Sequence, residues 1–227
     1  MNKPWLSQYG NIPAEININQ FSSIAAIYDD AFARFPERSL AMSMEKTLSY
    51  TEVKAYSDQV GAWLQQRGLQ KGDRVAVMMP NCLQYVVSVA AILRAGFCVV
   101  NVNPLYTTDE LEHQLKDSGA KAIFILENFA VTLEHALPHL PELQHIIVSK
   151  MGDLLGFKGL IVDFVLKYVK KMIPAWNIDK AIPFKQVLSE GKHLSLTPVT
   201  LTHDDLAFLQ YTGGTTGVAK GAMLTHG

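Results

Sequence analysis

Residues 211–222, Tyr-Thr-Gly-Gly-Thr-Thr-Gly-Val-Ala-Lys-Gly-Ala, combine the residue types that can hold a string of phosphates. Gly213, Gly214, Gly217 and Gly221 free the backbone to take positive φ and to bring N–H groups close to a ligand. Thr212, Thr215 and Thr216 add short hydroxyl donors, and Lys220 adds one mobile cation. Successive N–H groups in a turn of this kind make an anion-binding concavity. The run reads as a polyphosphate cradle.

The flanks decide what kind of cradle. Residues 206–211 and 222–225 both have the composition of short strands, so the loop joins strand to strand. A Walker A loop, G-x-x-x-x-G-K-[ST], follows a strand and opens a helix. Here Ala219 precedes Lys220, Gly221 follows it, and no helical pattern opens behind; a kinase-type G-x-G-x-x-G is absent too. The bland alternative is a Gly/Thr surface turn, but glycines, hydroxyls and a cation in one run are too specific a combination for that.

The elements that must position this loop begin after an irregular arm at residues 1–20. Ile24, Ile27, Tyr28, Ala31, Phe32 and Phe35 fall at helical spacing, with Ser22 or Ser23 as cap and Pro36 as stop. Residues 40–44 and 47–50 predict a hairpin around Glu45-Lys46. Thr51 is placed to cap a helix buried through Val53, Tyr56, Val60, Trp63 and Leu64, and Gly68 to end it. Then apolar runs at 74–79, 97–102, 122–126 and 145–149 alternate with helices. The first of those helices is capped by Pro80-Asn81 and ended by Gly96. The second opens with the capping box Thr107-x-x-Glu110 and ends near Gly119, and the third covers about 128–137. This alternation predicts an α/β fold, a mostly parallel sheet covered by helices on both faces. Ligands of such sheets bind beyond the carboxyl ends of the strands, so the turns after Met79, Val102 and Leu126 are candidate site walls. Residues 177–203 read as a connector with a short helix near 184–189.

Residues 151–176 stand apart. They are strongly apolar and carry Lys158, Lys167, Lys170 and Lys171 against Asp153 and Asp163. A basic amphipathic helix with Tyr168 and Trp176 as interfacial anchors would suit an anionic bilayer; the other reading is a surface helix packed on the sheet with solvated lysines.

Composition narrows the function classes. The chain has 227 residues, 48% of them hydrophobic, and a net charge of −1, which offers no basic field for nucleic acid. Cys82 and Cys98 lack metal or redox spacing and read as buried thiols in a reducing compartment. No signal-peptide pattern or membrane-spanning run occurs, so a cytoplasmic location is expected, with peripheral membrane contact as its variant. His135 and His139 are four apart, but Pro138 interrupts them, and a surface pair is the expectation. No G-x-S-x-G elbow supplies a serine nucleophile, and Glu110 and Glu112 fit capping and dipole roles. No catalytic group is assigned upstream of Thr212.

Residues 211–221 followed by Leu224-Thr-His226 resemble the phosphate-binding signature of the adenylate-forming superfamily, which holds acyl-CoA synthetases, luciferases and peptide-synthetase adenylation domains. Residues 69–81, 91–106 and 110–120 resemble the long-chain-fatty-acid–CoA ligases of bacteria within it, and the resemblance spans almost the whole chain, 151–176 included. It implies an incomplete N-terminal part of the large AMP-binding domain. It implies a two-step reaction in which a fatty carboxylate and ATP give acyl-AMP and pyrophosphate, and coenzyme A then displaces AMP. Tyr211, Thr212, Gly213, Gly214, Thr215, Thr216, Gly217, Val218, Ala219, Lys220, Gly221 and Ala222 would bind the ATP phosphates, with Lys220 supporting the chemistry and Thr215 and Thr216 near Mg²⁺. The superfamily's later elements for adenine, ribose and the catalytic lysine of the C-terminal domain fall beyond Gly227, so residues 1–227 alone are expected to make no acyl-adenylate. Two alternatives are another adenylate-forming ligase, for short-chain or aryl acids, and a non-catalytic nucleotide- or membrane-binding protein.

Overall fold

A computed structural model describes residues 3–212 and 219–227. The elements are α1 (Ile24–Arg34), β1 (Ser39–Ser43), β2 (Lys46–Ser49), α2 (Tyr50–Gln66), β3 (Arg74–Met78), α3 (Leu83–Arg94), β4 (Cys98–Asn101) and α4 (Thr108–Ser118). There follow β5 (Ala122–Leu126), α5 (Ala130–Ala136), β6 (His145–Ser149), α6 (Phe157–Phe164), β7 (Ala181–Pro183), α7 (Phe184–Gly191), β8 (Leu206–Thr212) and β9 (Lys220–Thr225). Strands β1 and β2 pair as a separate antiparallel hairpin, and the other seven form one sheet in the order β7-β6-β5-β3-β4-β8-β9. Every pair in that sheet is parallel except β8 with β9.

Side chains on a strand alternate between faces, and the apolar runs serve two cores at once. Val75, Val77, Val99, Phe124 and Ile147 pack with Phe32 of α1, Trp63 and Leu64 of α2, Val87 of α3 and Phe184 of α7. Ala76, Met78, Val100, Ile123, Ile125, Ile146 and Val148 point the other way, onto Leu111 and Leu115 of α4 and Leu133 of α5. Burial on both faces is what makes these strands continuous apolar runs. Trp63 is fully buried and its indole N–H donates to Glu190 Oε2 at 2.7 Å, tying α2 to α7.

Several boundaries differ from expectation. Ser49, not Thr51, caps α2: its hydroxyl accepts from the Glu52 N–H at 3.2 Å while Glu52 accepts from the Ser49 N–H at 2.8 Å. The carboxylate at the third helical position selects Ser49, and the Thr51 hydroxyl donates to the Pro36 carbonyl instead. Helix α3 starts at Leu83 with Cys82 at its cap, not at Pro80-Asn81. Strand β7 lies inside the expected connector; it has three residues and ends in a proline, which suits an edge. The Thr107/Glu110 capping box and left-handed Gly119 close α4 as expected.

The segment 151–176 is helical only over Phe157–Phe164, continued by a π turn at Val165–Val169. Its orientation is the notable feature. The buried side of α6 carries Gly159, where a Cβ would meet the Gly152 carbonyl oxygen at 2.0 Å, so two backbones meet directly. Asp163 accepts from the Gly152 N–H at 2.8 Å on the same side. The outward side carries Phe157, Leu160, Ile161, Phe164 and Tyr168, all more than half exposed. Trp176 does not join this row; it is half-buried against the core under α4 and α5. Lys158 reaches Glu45 and the Met44 carbonyl in the β1–β2 turn.

Candidate active site

The chain moves from β3 to β4 through α3 on one face and from β4 back past β3 to β5 through α4 on the other. Adjacent strands whose connections leave on opposite faces open a crevice at their carboxyl ends. A cavity of about 300 Å³ sits there, lined by Met79, Asn81 and Tyr85 after β3, Asn101, Asn103 and Tyr106 around the end of β4, and Gln210 and Tyr211 of β8. The turns after Met79 and Val102 are therefore walls of this site, whereas the turn after Leu126 is not among its lining residues.

A chain of neutral polar groups crosses the cavity. The Tyr85 hydroxyl donates to Asn101 Oδ1 at 3.0 Å, and Asn101 Nδ2 donates to Gln210 Oε1 at 2.9 Å. Gln114 of α4 supports the same strand end, its Nε2 donating to the Asn101 carbonyl at 2.8 Å. Burial pushes the Tyr85 phenol up, so it keeps its proton and remains a donor.

Beside this cavity β8 and β9 are the two strands expected on either side of the run, paired antiparallel from Leu206↔Thr225 to Thr212↔Lys220, with β9 starting at Lys220 and not at Ala222. That register places exposed Lys220 directly across from exposed Thr212 at the base of the loop. Gly221 is required by close approach: a Cβ there would lie 2.9 Å from the Tyr211 ring. Tyr211 is buried, and its hydroxyl donates to Asp117 Oδ2 of α4 at 2.5 Å. Its phenol is pushed up by burial first and by Asp117 second. His113, one turn earlier on α4, places Nε2 3.3 Å from the Ala219 carbonyl; a carbonyl only accepts, so Nε2 carries the hydrogen.

Of the expected phosphate-site residues, Tyr211, Thr212, Ala219, Lys220, Gly221 and Ala222 are brought together at the base of this hairpin. Gly213, Gly214, Thr215, Thr216, Gly217 and Val218 lie outside the described residues. Among the described residues no group of three or more His, Cys, Asp or Glu side chains converges as a metal site, so they do not by themselves fit a magnesium ion. His139 pairs with Glu112, Nδ1 to Oε2 at 2.7 Å, and Glu112 also accepts from Lys116; Glu112 thus works through side-chain pairing, while Glu110 does cap α4. Both cysteines are buried and free, and burial pushes the Cys98 thiol up to about 11. No helix among the described residues is long and apolar enough to cross a membrane.

The sequence reading missed Tyr85, Asn101, Gln210, Gln114, His113 and Asp117. A signal existed for two of them: Asn101 and Gln210 are polar residues at the ends of otherwise apolar strand runs.

Residues 28–227 match the family described as AMP-binding enzyme. The chain belongs to that family. The chain is 48% identical to the long-chain-fatty-acid–CoA ligase of Salmonella typhimurium, over 100% of its own length and 41% of the relative's. It is 38% identical to the long-chain-fatty-acid–CoA ligase of Bacillus subtilis, over 99% of its own length and 40% of the relative's. The chain thus spans about two fifths of the length of these relatives. Among solved structures, the anthranilate CoA ligase AuaEII in complex with anthranoyl-AMP superposes with a TM-score of 0.75 at 19% identity, over 93% of this chain and 36% of that one. At that identity the superposition supports the fold alone.

Proposed function

We propose that this chain carries the phosphate grip of an acid–thiol ligase that activates a long-chain fatty acid with ATP and transfers it to coenzyme A. The observation that carries the reading is the β8–β9 hairpin, which sets Lys220 and Thr212 side by side next to the crevice at the carboxyl ends of β3 and β4. The identity to long-chain ligases along the whole chain supports the substrate class. In the first step the fatty carboxylate attacks the α-phosphorus, the bond to the bridging oxygen breaks, and pyrophosphate leaves. In the second the coenzyme A thiol attacks the acyl carbonyl, loses its proton, and AMP leaves.

The chain's own part is the first step. The backbone N–H groups of residues 213–217 and the hydroxyls of Thr212, Thr215 and Thr216 are the proposed donors to the β- and γ-phosphates. Tyr211, Val218, Ala219, Gly221 and Ala222 shape the strands that present them. Lys220 neutralises charge building on departing pyrophosphate, where a fixed cation is worth more in the transition state than in the ground state. Thr215 and Thr216 are the proposed contacts for magnesium.

Lys220→Ala is the test, in a protein of the relatives' length that carries residues 1–227. A charge-assisted hydrogen bond is worth roughly 1.5–3 kcal/mol, so fatty-acid-dependent pyrophosphate exchange is expected to slow by on the order of 10- to 100-fold. An unchanged rate refutes the role. Running the exchange with acids of graded length separates a long-chain enzyme from one for short-chain or aryl acids.

We also infer peripheral contact with an anionic membrane through residues 151–176. A surface helix of a globular protein ordinarily turns its apolar stripe inward; α6 does the reverse, with Phe157, Leu160, Ile161, Phe164 and Tyr168 outward. Lys167, Lys170 and Lys171 are exposed on or just after the same helix, which suits acidic headgroups. Salt-sensitive co-sedimentation of the 227-residue chain with anionic but not zwitterionic vesicles, weakened by Leu160→Ser with Phe164→Ser, is the expected result. Equal sedimentation with both vesicle types, or none, refutes the inference.

A further inference from the structure

We propose that α4 clamps both shoulders of the phosphate loop, with Asp117 and His113 acting as positioning residues for nucleotide binding. The inference rests on the reading of residues 211–222 as a phosphate grip. Ordering a glycine-rich run on a ligand costs conformational entropy, and fixing its two ends beforehand lowers that cost.

The strand ladder does this only in part. Strand β8 pairs with β4 through Phe208, Leu209 and Gln210, and that pairing stops one residue before Tyr211. Among the described residues β9 pairs with β8 alone. From Tyr211 onward the two strands are held to each other, and their bearing on the crevice depends on side chains. Helix α4 supplies both contacts from one face. Asp117 accepts from the Tyr211 hydroxyl at the outgoing shoulder, and His113, four residues earlier, donates to the Ala219 carbonyl at the returning shoulder. Gln114, between them on the helix, holds the Asn101 carbonyl at the end of β4. One turn of helix thus registers the loop base against the cavity. The helix is itself fixed at both ends, by the Thr107/Glu110 box and by left-handed Gly119.

The chemistry of the two contacts differs. The Tyr211–Asp117 bond is short and ends on a carboxylate, and Tyr211 is buried with its ring against Gly221. The His113 contact is longer, at 3.3 Å, and ends on a neutral carbonyl. Asp117 is therefore the stronger half of the clamp.

The test uses a protein of the relatives' length and reads KM for ATP and for fatty acid separately in pyrophosphate exchange. Tyr211→Phe keeps the ring and removes only the bond. Tyr211→Phe and Asp117→Ala are each expected to raise KM for ATP roughly 10-fold, the low end for a charge-assisted bond, with KM for fatty acid unchanged. Because they break one bond, the double variant should be no worse than either single one. Asp117→Asn, which still offers an acceptor oxygen, should recover most of the loss, and His113→Ala should cost roughly 3-fold in KM for ATP, recovered by His113→Gln. Parallel rises in both KM values, multiplying effects in the double variant, or no recovery by Asp117→Asn each overturn the clamp. Lys220→Ala in the same assay keeps the two readings apart. If it has no effect, the phosphate grip fails and the clamp is judged by amide hydrogen exchange over residues 208–222: faster exchange in Asp117→Ala supports it, and unchanged exchange overturns it.

Discussion

Two cavities of the molecule differ in both size and chemistry, and the larger one carries the less ligand chemistry. The carboxyl-end cavity of about 300 Å³ is crossed by neutral hydroxyl and amide groups. The other, about 580 Å³, lies by the end of α3, between α1, α2 and residues 194–201, and is lined by buried Arg94. Arg94 donates to Asp29 at 2.8 Å, to Ser57 at 2.8 Å and to Asp58 at 2.6 Å, and its guanidinium lies 5.1 Å from the Phe32 ring centroid. Lys54 occupies Asp58 from the other side at 2.7 Å. Two cations and two carboxylates there satisfy each other, leaving little capacity for a ligand. Charges that are fully partnered hold helices together; neutral groups with spare lone pairs and donors, open to water, are what a substrate can compete for. Size ranks these cavities in one order and chemistry in the other.

That contrast breaks first at Arg94. Arg94 is buried, but Asp29 is more than half exposed and Asp58 keeps Lys54, so Arg94→Ala loses charge-assisted bonds without stranding a buried charge and is expected to lower denaturant stability by roughly 1.5–3 kcal/mol while leaving KM for ATP unchanged. A raised KM with unaltered stability would mean that the larger cavity is the functional one. The pH dependence of stability is the next lever. His226 is buried and its Nδ1 accepts from the Ile24 N–H at 3.1 Å, fastening the end of β9 to the start of α1. Burial pulls the pKa of His226 below the ordinary histidine value of 6.5, and burial does the same for His145. The unfolded chain therefore binds more protons than the folded one just below pH 6.5, and stability falls as pH drops from there until the folded histidines also titrate. His226→Asn keeps an acceptor and removes the titration, so its stability should vary less with pH between 5 and 6.5. Chemical denaturation across that range checks this; an unflattened slope assigns the dependence to other groups.

What the sequence disclosed followed from how local the physics was. The apolar runs of β3, β5 and β6, the Thr107/Glu110 box and the Gly119 stop depend on neighbours within a few residues, and all stand where they were expected. The two strands that flank residues 213–218 were legible for the same reason, although β9 begins two residues before the expected Ala222. The clamp was not, because Tyr211 and Asp117 are 94 residues apart and nothing in either segment names the other. Ser49 displaced Thr51 through a choice between two competent caps that only the placement of Glu52 settles. The outward apolar face of α6 was half legible. Its periodicity was plain, but which side meets the protein is set by the Gly152–Gly159 backbone contact, a pairing with no periodic signal.

The smallest expected effect sharpens the contrast most. Tyr85→Phe removes one hydroxyl from the carboxyl-end cavity and with it the bond to Asn101 Oδ1. Tyr85 is only half-buried and the cavity is open, so water can replace the lost donor. A neutral hydrogen bond nets about 1 kcal/mol, and with that replacement Tyr85→Phe should change denaturant stability by less than about 1 kcal/mol. The same openness that makes the hydroxyl cheap to lose makes it available to a bound acid or nucleotide. A loss as large as that of Arg94→Ala would mean that the Tyr85–Asn101–Gln210 chain is sealed structure like the arginine cluster, and the chemical distinction between the two cavities would collapse.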